Sequence, residues 1–382
     1  KKYRSKKCLD FILKFFSPVK QIDIKYLNYS IAEIANQFKM EDTLFKFDLL
    51  KVEIVLLLSV ESYISPDRTD NYSWANDLYF GLVQNFRNKL TIEQRDHSLT
   101  LLSILLKKFN HSILEDDLKS ALLLLHISSA ELRVLLEEVD RKTADNKDIS
   151  ERWKHMLPIT LELFKSFTEF AINFSEKQLN SNKKFKDTEF DFIFSTKKIL
   201  IETVLDMIYY LNFEKNNNSG NNNIEIRLFC IKNCSHYLAE DIEGIEVNVL
   251  EDFLIIFIDM ADKPNITPHP YEFSTEFLDT VTTSTEHLKI FIDNGGLRSI
   301  KDYILNKKNI NPELEQDLIN YLLNALILTK DPETLTKFQI LGDLLQFLIE
   351  KKKNEKFEFS VQLAVFSTFF LFYFQKVQLT DT

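Results

Sequence analysis

Apolar residues recur every three or four positions along nearly the whole chain, which is the period of a helix rather than of a strand. Near the start, Cys8, Ile12, Phe15 and Phe16 share one face, and Pro18 ends the segment. Further helices are predicted over 26–38, 44–64, 74–86 and 92–109. Two more, 113–126 and 128–139, read as a close pair. Ser128 and Ser129 offer a cap for the second, and Glu131 places an acid in its first turn. A long helix over 153–174 carries Pro158 near its start. The period then resumes over 192–211, 226–238, 247–261, 273–283, 286–291, 297–305, 312–328, 333–340, 343–351 and 357–374. Only 356–366 alternates briefly at the strand period, and no second strand pairs with it.

Two stretches break the rhythm. EKQLNSNKKFKD (176–187) is polar and basic, and KNNNSGNNN (215–223) is too low in complexity to bury a core. They organise the chain into N-terminal HEAT-like helical repeats over 1–175, a polar loop over 176–188, and C-terminal armadillo-like repeats over 189–382. A low-complexity loop at 213–223 interrupts the second part. Within that part a pattern repeats. Leu288, Phe291, Gly295, Leu297 and Ile300 recur 47 residues later as Leu335, Phe338, Gly342, Leu344 and Phe347. A helix, a short helix, a glycine turn and a third helix make an armadillo unit, and a period in the forties suits armadillo and HEAT arrays. The predicted fold is therefore all-α, an armadillo/HEAT-like α-solenoid of stacked antiparallel helices, with more than about 60% of residues helical against a base rate of ~30–35%.

Composition narrows the function by exclusion. Six Gly and eight Pro in 382 residues are too few for a turn-rich sandwich or barrel. Neither G-x-G-x-x-G nor G-x-x-x-x-G-K-[ST] occurs, so no Gly-rich phosphate loop exists. The formal net charge of -10 argues against general nucleic-acid binding, despite Lys1, Lys2, Arg4, Lys6 and Lys7 at the start. The chain opens on Lys rather than Met, as a fragment or a processed chain would. Three cysteines without a framework point to a reducing, cytoplasmic or nuclear compartment. The most apolar run, 361–374, would span only ~21 Å as a helix, short of a bilayer core, so no transmembrane segment is expected.

Candidate chemistry is sparse. Cys230 and Cys234 share a helical face, but His236 points about 160° away from Cys234 and no second Cys pair exists to complete a zinc site. Two buried core thiols are the expectation. The other histidines, His97, His111, His126, His155, His269 and His287, form no H-E-x-x-H, and no G-x-S-x-G elbow occurs. No catalytic residue, cofactor, metal or small-molecule substrate is expected, and the chain does not read as an enzyme. Lys351–Lys353 suit the C-terminus of the helix before them.

The order and apolar spacing of six stretches resemble the neurochondrin family. They are QRDHSLTLLSILLKKF (94–109), SSAELRVLLEE (128–138), LPITLELFKSFTEFAI (157–172), FSTKKILIETVLDMIYYL (194–211), the segment 226–262 and the segment 277–305. The resemblance implies a cytoplasmic, non-enzymatic helical-repeat adaptor that binds other proteins, including receptor tails and signalling or trafficking components. The chain is much shorter than animal members, so their neuronal roles do not transfer. Two other readings stand beside the adaptor: a constitutive regulatory subunit of a larger complex, and a metal-dependent enzyme without a recognisable motif. In an armadillo unit the third helix lines the concave face, which makes Arg298 and Lys301 expected contacts for a protein or peptide partner, and the helix between the two copies contributes Asn324. By resemblance to armadillo asparagines, Asn324 is expected to pair with the backbone of an extended peptide, and its amide suits that because it both donates and accepts.

Overall fold

The structure is a computed structural model that describes residues 24–59, 73–109, 112–144, 151–180, 186–216, 224–263, 266–307 and 310–328, with 342, 343, 345, 346 and 349 beyond them. The described residues are 89% helical and contain no strand. This bears out the all-α expectation. The helices expected before Pro18 and over 357–374, and most of the second repeat copy, lie outside the described residues.

The chain divides into two compact units, Lys1–Tyr210 and Leu211–Thr382. The first holds α1 (Ile24–Met40), α2 (Phe45–Ser59), α3 (Ser73–Phe86), α4 (Ile92–Phe109), the single turn α5 (Ser112–Glu115), α6 (Leu118–Ala144), α7 (Glu151–Asn180) and most of α8 (Asp187–Asn216). Among α1–α4, α6 and α7, helices pair with a neighbour in sequence, and each also packs on another helix of its own row. α1, α3 and α6 follow one another in one row, and α2, α4 and α7 in the other. That two-row stack is the arrangement of a helical solenoid, in which each layer covers the apolar face its neighbour cannot cover alone.

The second unit repeats this logic. It holds α9 (Ile224–Glu240), α10 (Val247–Ala261), α11 (Thr275–Thr283), α12 (Thr285–Asp293), α13 (Gly296–Asn306) and α14 (Pro312–Leu328). α9, α11 and α14 stack in one row; α10 and α12 stack in the other, and α13 packs against α10, α12 and α14. α11 to α13 form the helix, short helix, glycine turn and third helix that the repeat predicts. Gly295 sits at φ 87°, a left-handed backbone that only glycine adopts without strain. Gly296 meets a different constraint: a Cβ built there would lie 2.3 Å from Cε1 of Phe291.

Aromatic side chains fill the space between layers. In the first unit Trp74 meets Phe109 edge-on at 5.5 Å, and Phe192 closes on both Phe170 and Phe174. In the second, Phe253, Phe257, Tyr271 and Phe277 form one cluster of edge-on and tilted rings. Hydroxyls enter these cores by bonding to their own helix. Thr160, Thr168 and Thr203 each donate to a carbonyl one turn back.

Two expectations on helix ends are corrected. The predicted break before Ser128 does not occur, because α6 runs unbroken from Leu118 to Ala144. Ser128 is buried and donates to the Leu125 carbonyl at 3.0 Å, so its hydroxyl serves the helix interior instead of a cap. The segment has neither Gly nor Pro to stop it. The polar stretch after 175 also starts helical, since α7 continues to Asn180 and α8 opens at Asp187. The boundary between the two units falls inside α8, at 210/211.

Candidate interaction surfaces

In the second unit, α10 ends at Ala261 and Asp262 caps it, with its backbone N–H donating to Ile258 and Met260. The chain then turns through a cis Thr267–Pro268 bond into the 3-10 turn Pro270–Glu272. His269 pins that turn. Its Nε2 lies 3.0 Å from the Ala261 carbonyl and must donate to it, while Nδ1 accepts from the Tyr271 N–H at 3.3 Å. The ring packs against Tyr303 with centroids 4.0 Å apart. Burial pulls the imidazole pKa down to about 4, so His269 is neutral at physiological pH.

α13 faces this turn with Ser299, Asp302, Tyr303 and Asn306, spaced as one helical face. Between them opens a cleft of about 600 Å3, lined also by Asp262, Lys263 and Lys307. A buried relay crosses its floor. The Tyr271 hydroxyl donates to Ser299 Oγ at 2.8 Å, and the Ser299 hydroxyl donates to Asp262 Oδ1. Tyr271 is fully buried and Ser299 nearly so. Lys307 pairs with Glu272, donates to the Tyr303 hydroxyl at 3.0 Å and lies over that ring at 4.9 Å. Burial works against the Lys307 charge, but the bonds to Glu272 and Tyr303 outweigh it and raise the ammonium pKa.

The three expected contacts lie beside this face and differ in availability. The Arg298 side chain is 77% exposed and reaches Asp302 of the next turn only at 3.6 Å. The Lys301 side chain is 15% exposed and is held by Asp302 at 3.3 Å and Asp343 at 3.0 Å. Asn324 is exposed on α14. Leu297 and Ile300 are buried, as the repeat register requires.

A second surface, on α8 of the first unit, is one that sequence reading missed. Phe190, Phe194, Leu205 and Tyr209 line one face and are exposed, the three aromatics by 62, 66 and 71%. The opposite face buries Phe192, Ile199, Leu200, Val204 and Met207. α8 is thus apolar on two sides, and only one is used within the unit.

Elsewhere in the first unit, Glu131 is 3% exposed and lies between Arg95, at 2.7 Å, and Arg152. Arg152 also takes Asp96 in a fork of 2.7 and 2.8 Å. The Asp96 hydrogen bonds raise the guanidinium pKa further. This network ties α4, α6 and α7 together. Cys230 and Cys234 are buried and not in a disulfide, and burial pushes the Cys234 thiol pKa well up. Among the described residues no group of three His, Cys, Asp or Glu side chains is placed to hold a metal ion, and no helix is long and apolar enough to cross a membrane.

Stacked helical layers that present polar and aromatic faces define a helical-repeat protein. The family follows from comparison. Residues 19–365 match the neurochondrin family, and the chain belongs to it. No curated protein matches the chain.

Proposed function

We propose that this protein is a non-catalytic adaptor that binds a protein partner through exposed faces of its helical layers. Membership of the neurochondrin family and the solenoid packing support the reading. The observation that carries it is the row Phe190, Phe194 and Tyr209 on α8. Aromatic side chains concentrate binding energy at protein interfaces, and here exposed apolar side chains stand in two clusters on α8, Phe190 with Phe194 and Leu205 with Tyr209. Three aromatics exposed by about two-thirds present on the order of 400 Å2, roughly half the ~800 Å2 that one partner contributes to a standard interface. That size suits a reversible partner better than the larger face of a constitutive subunit. Arg298, Lys301 and Asn324 stand as proposed contacts of the second unit, with Arg298 the most open of the three.

The test is affinity purification with mass spectrometry, comparing the chain with the triple variant Phe190→Ser, Phe194→Ser, Tyr209→Ser. The expected result is loss of specific partners with helix content unchanged by circular dichroism. Undiminished partner recovery removes the α8 face from the interface. Recovery of no specific partner by the unaltered chain overturns the adaptor reading.

A further inference from the structure

We propose that the cleft beside α13 receives a basic side chain, lysine or arginine, from a partner protein, with Asp262 as its counter-charge. The inference rests on the adaptor reading and names the chemistry of one contact. Four charged residues line the cleft: Asp262, Lys263, Asp302 and Lys307. Three already have opposite charges beside them. Lys307 pairs with Glu272, Lys263 lies 3.7 Å from Asp259, and Asp302 lies 3.3 Å from Lys301 and 3.6 Å from Arg298. Asp262 has no cation beside it among the described residues. Its one side-chain hydrogen bond comes from the Ser299 hydroxyl.

That single bond matters for binding. Ser299 is itself fixed by the buried Tyr271 hydroxyl, so the carboxylate is held in place before any ligand arrives. A cation that meets a pre-positioned carboxylate loses less in ordering than one that meets a mobile surface acid. Asp262 keeps its remaining lone pairs for a donor, and a charged donor makes the stronger hydrogen bond. The lining also includes the His269 and Tyr303 rings, which are 7 and 8% exposed and pack on one another at 4.0 Å, so they add an apolar boundary for the methylene stem of a long basic side chain. His269 is neutral and does not repel it. The Asn306 amide and Thr267 add exposed polar groups at the rim. An anionic ligand finds no equivalent, because both lining lysines lie against carboxylates of the protein. A divalent ion finds no third ligand.

The probes are capped arginine and capped lysine (N-acetyl, N-methylamide), with capped citrulline as the neutral isostere of arginine. Binding to the full chain is read by saturation-transfer NMR. Arginine and lysine should bind, and citrulline should bind about tenfold more weakly. Asp262→Asn, which keeps an acceptor for Ser299, should weaken arginine by a similar factor, whereas Asp293→Asn on α12 should leave it unchanged. A second variant guards against altered folding at Asp262. Asn306→Lys, at an exposed position, places a resident cation at the rim and should also abolish arginine binding. Citrulline binding as tightly as arginine, Asp262→Asn binding as tightly as the unaltered chain, or no binding of either basic probe overturns the proposal. If the probes fail while partners are still recovered in the purification, the cleft inference falls and the adaptor reading stands. Probe binding without any recovered partner has the opposite meaning.

Discussion

Glu53 lies on α2 at 0% exposure, and neither carboxyl oxygen has a hydrogen-bond partner. Burial raises its pKa well above the ordinary 4.5. Between pH 4.5 and that raised pKa the folded protein therefore holds a neutral carboxylic acid where the unfolded chain holds a carboxylate. Replacing it by methionine keeps the volume and removes the buried polar group. An unsatisfied buried polar group costs about 1–3 kcal/mol, so Glu53→Met should stabilise the first unit by that order at pH 7. For a unit of this size the midpoint of thermal unfolding should rise by roughly 2–4 °C per kcal/mol. The pH dependence gives a sharper check. Because the folded pKa is the higher one, the native state binds more protons than the unfolded state above pH 4.5. The contribution of Glu53 to stability is fully present below that value and is lost as pH rises through the folded pKa, by up to about 1.4 kcal/mol per pH unit. Thermal melts by circular dichroism from pH 4.5 to 8 should show this decline in the parent and a smaller one in Glu53→Met. A variant less stable than the parent at pH 7, with the decline intact, would refute the reasoning and mean that the carboxyl has a stabilising partner.

Three further outcomes follow from the packing. Glu131→Gln leaves Arg95 and Arg152 without their shared charge, and urea unfolding should show a loss of about 3 kcal/mol; Lys154→Ala, in a pair whose side chains are 60 and 88% exposed, should change stability by under ~0.5 kcal/mol. Gly296→Ala drives a methyl into the Phe291 ring and should destabilise by about 1–3 kcal/mol, with Phe291→Leu in the same chain recovering part of the loss. His269 has a folded pKa of about 4 against an ordinary 6.5, so the native state binds fewer protons between those values and the second unit should weaken as pH falls through that window. Hydrogen exchange of the α10 amides should show that weakening in the parent and a smaller one in His269→Gln.

Helices with punctuated ends were legible in the sequence. The predicted bounds 92–109, 247–261 and 312–328 coincide with α4, α10 and α14, and Pro312 marks the start of the last. The Gly295 turn was legible because glycine is rare in this chain. The Ser128-Ser129 cap was misread because the same hydroxyl serves a cap or a helix interior, and only the packing of α6 decides between them. α8 carries apolar residues on both sides, so its period shows a helix but not which side faces water. Glu131 looked like a first-turn acid, since its arginine partners lie 36 residues before it and 21 after it in sequence. The cleft was hidden for the same reason. Asp262, His269 and Ser299 become neighbours only when α13 folds back onto the end of α10, and no local spacing records that.

α13 serves the core and the cleft with different sides of three turns. Leu297, Ile300 and Ile304 hold it against its neighbours, while Ser299, Asp302, Tyr303 and Asn306 face the cleft. Its direction is set at its first residues, by the left-handed Gly295 and by the contact of Gly296 with Phe291. The hydrogen bond from Ser299 to Asp262 joins α13 to the end of α10, so it is made only while α13 keeps its place. Gly296→Ala, which must move either α13 or the Phe291 ring, should therefore weaken capped-arginine binding as well as stability. Glu131→Gln, in the other unit, should lower stability and leave that binding unchanged at temperatures where the fold persists. Gly296→Ala retaining full arginine affinity would show that Phe291 alone absorbs the strain and that the cleft does not depend on the glycine turn.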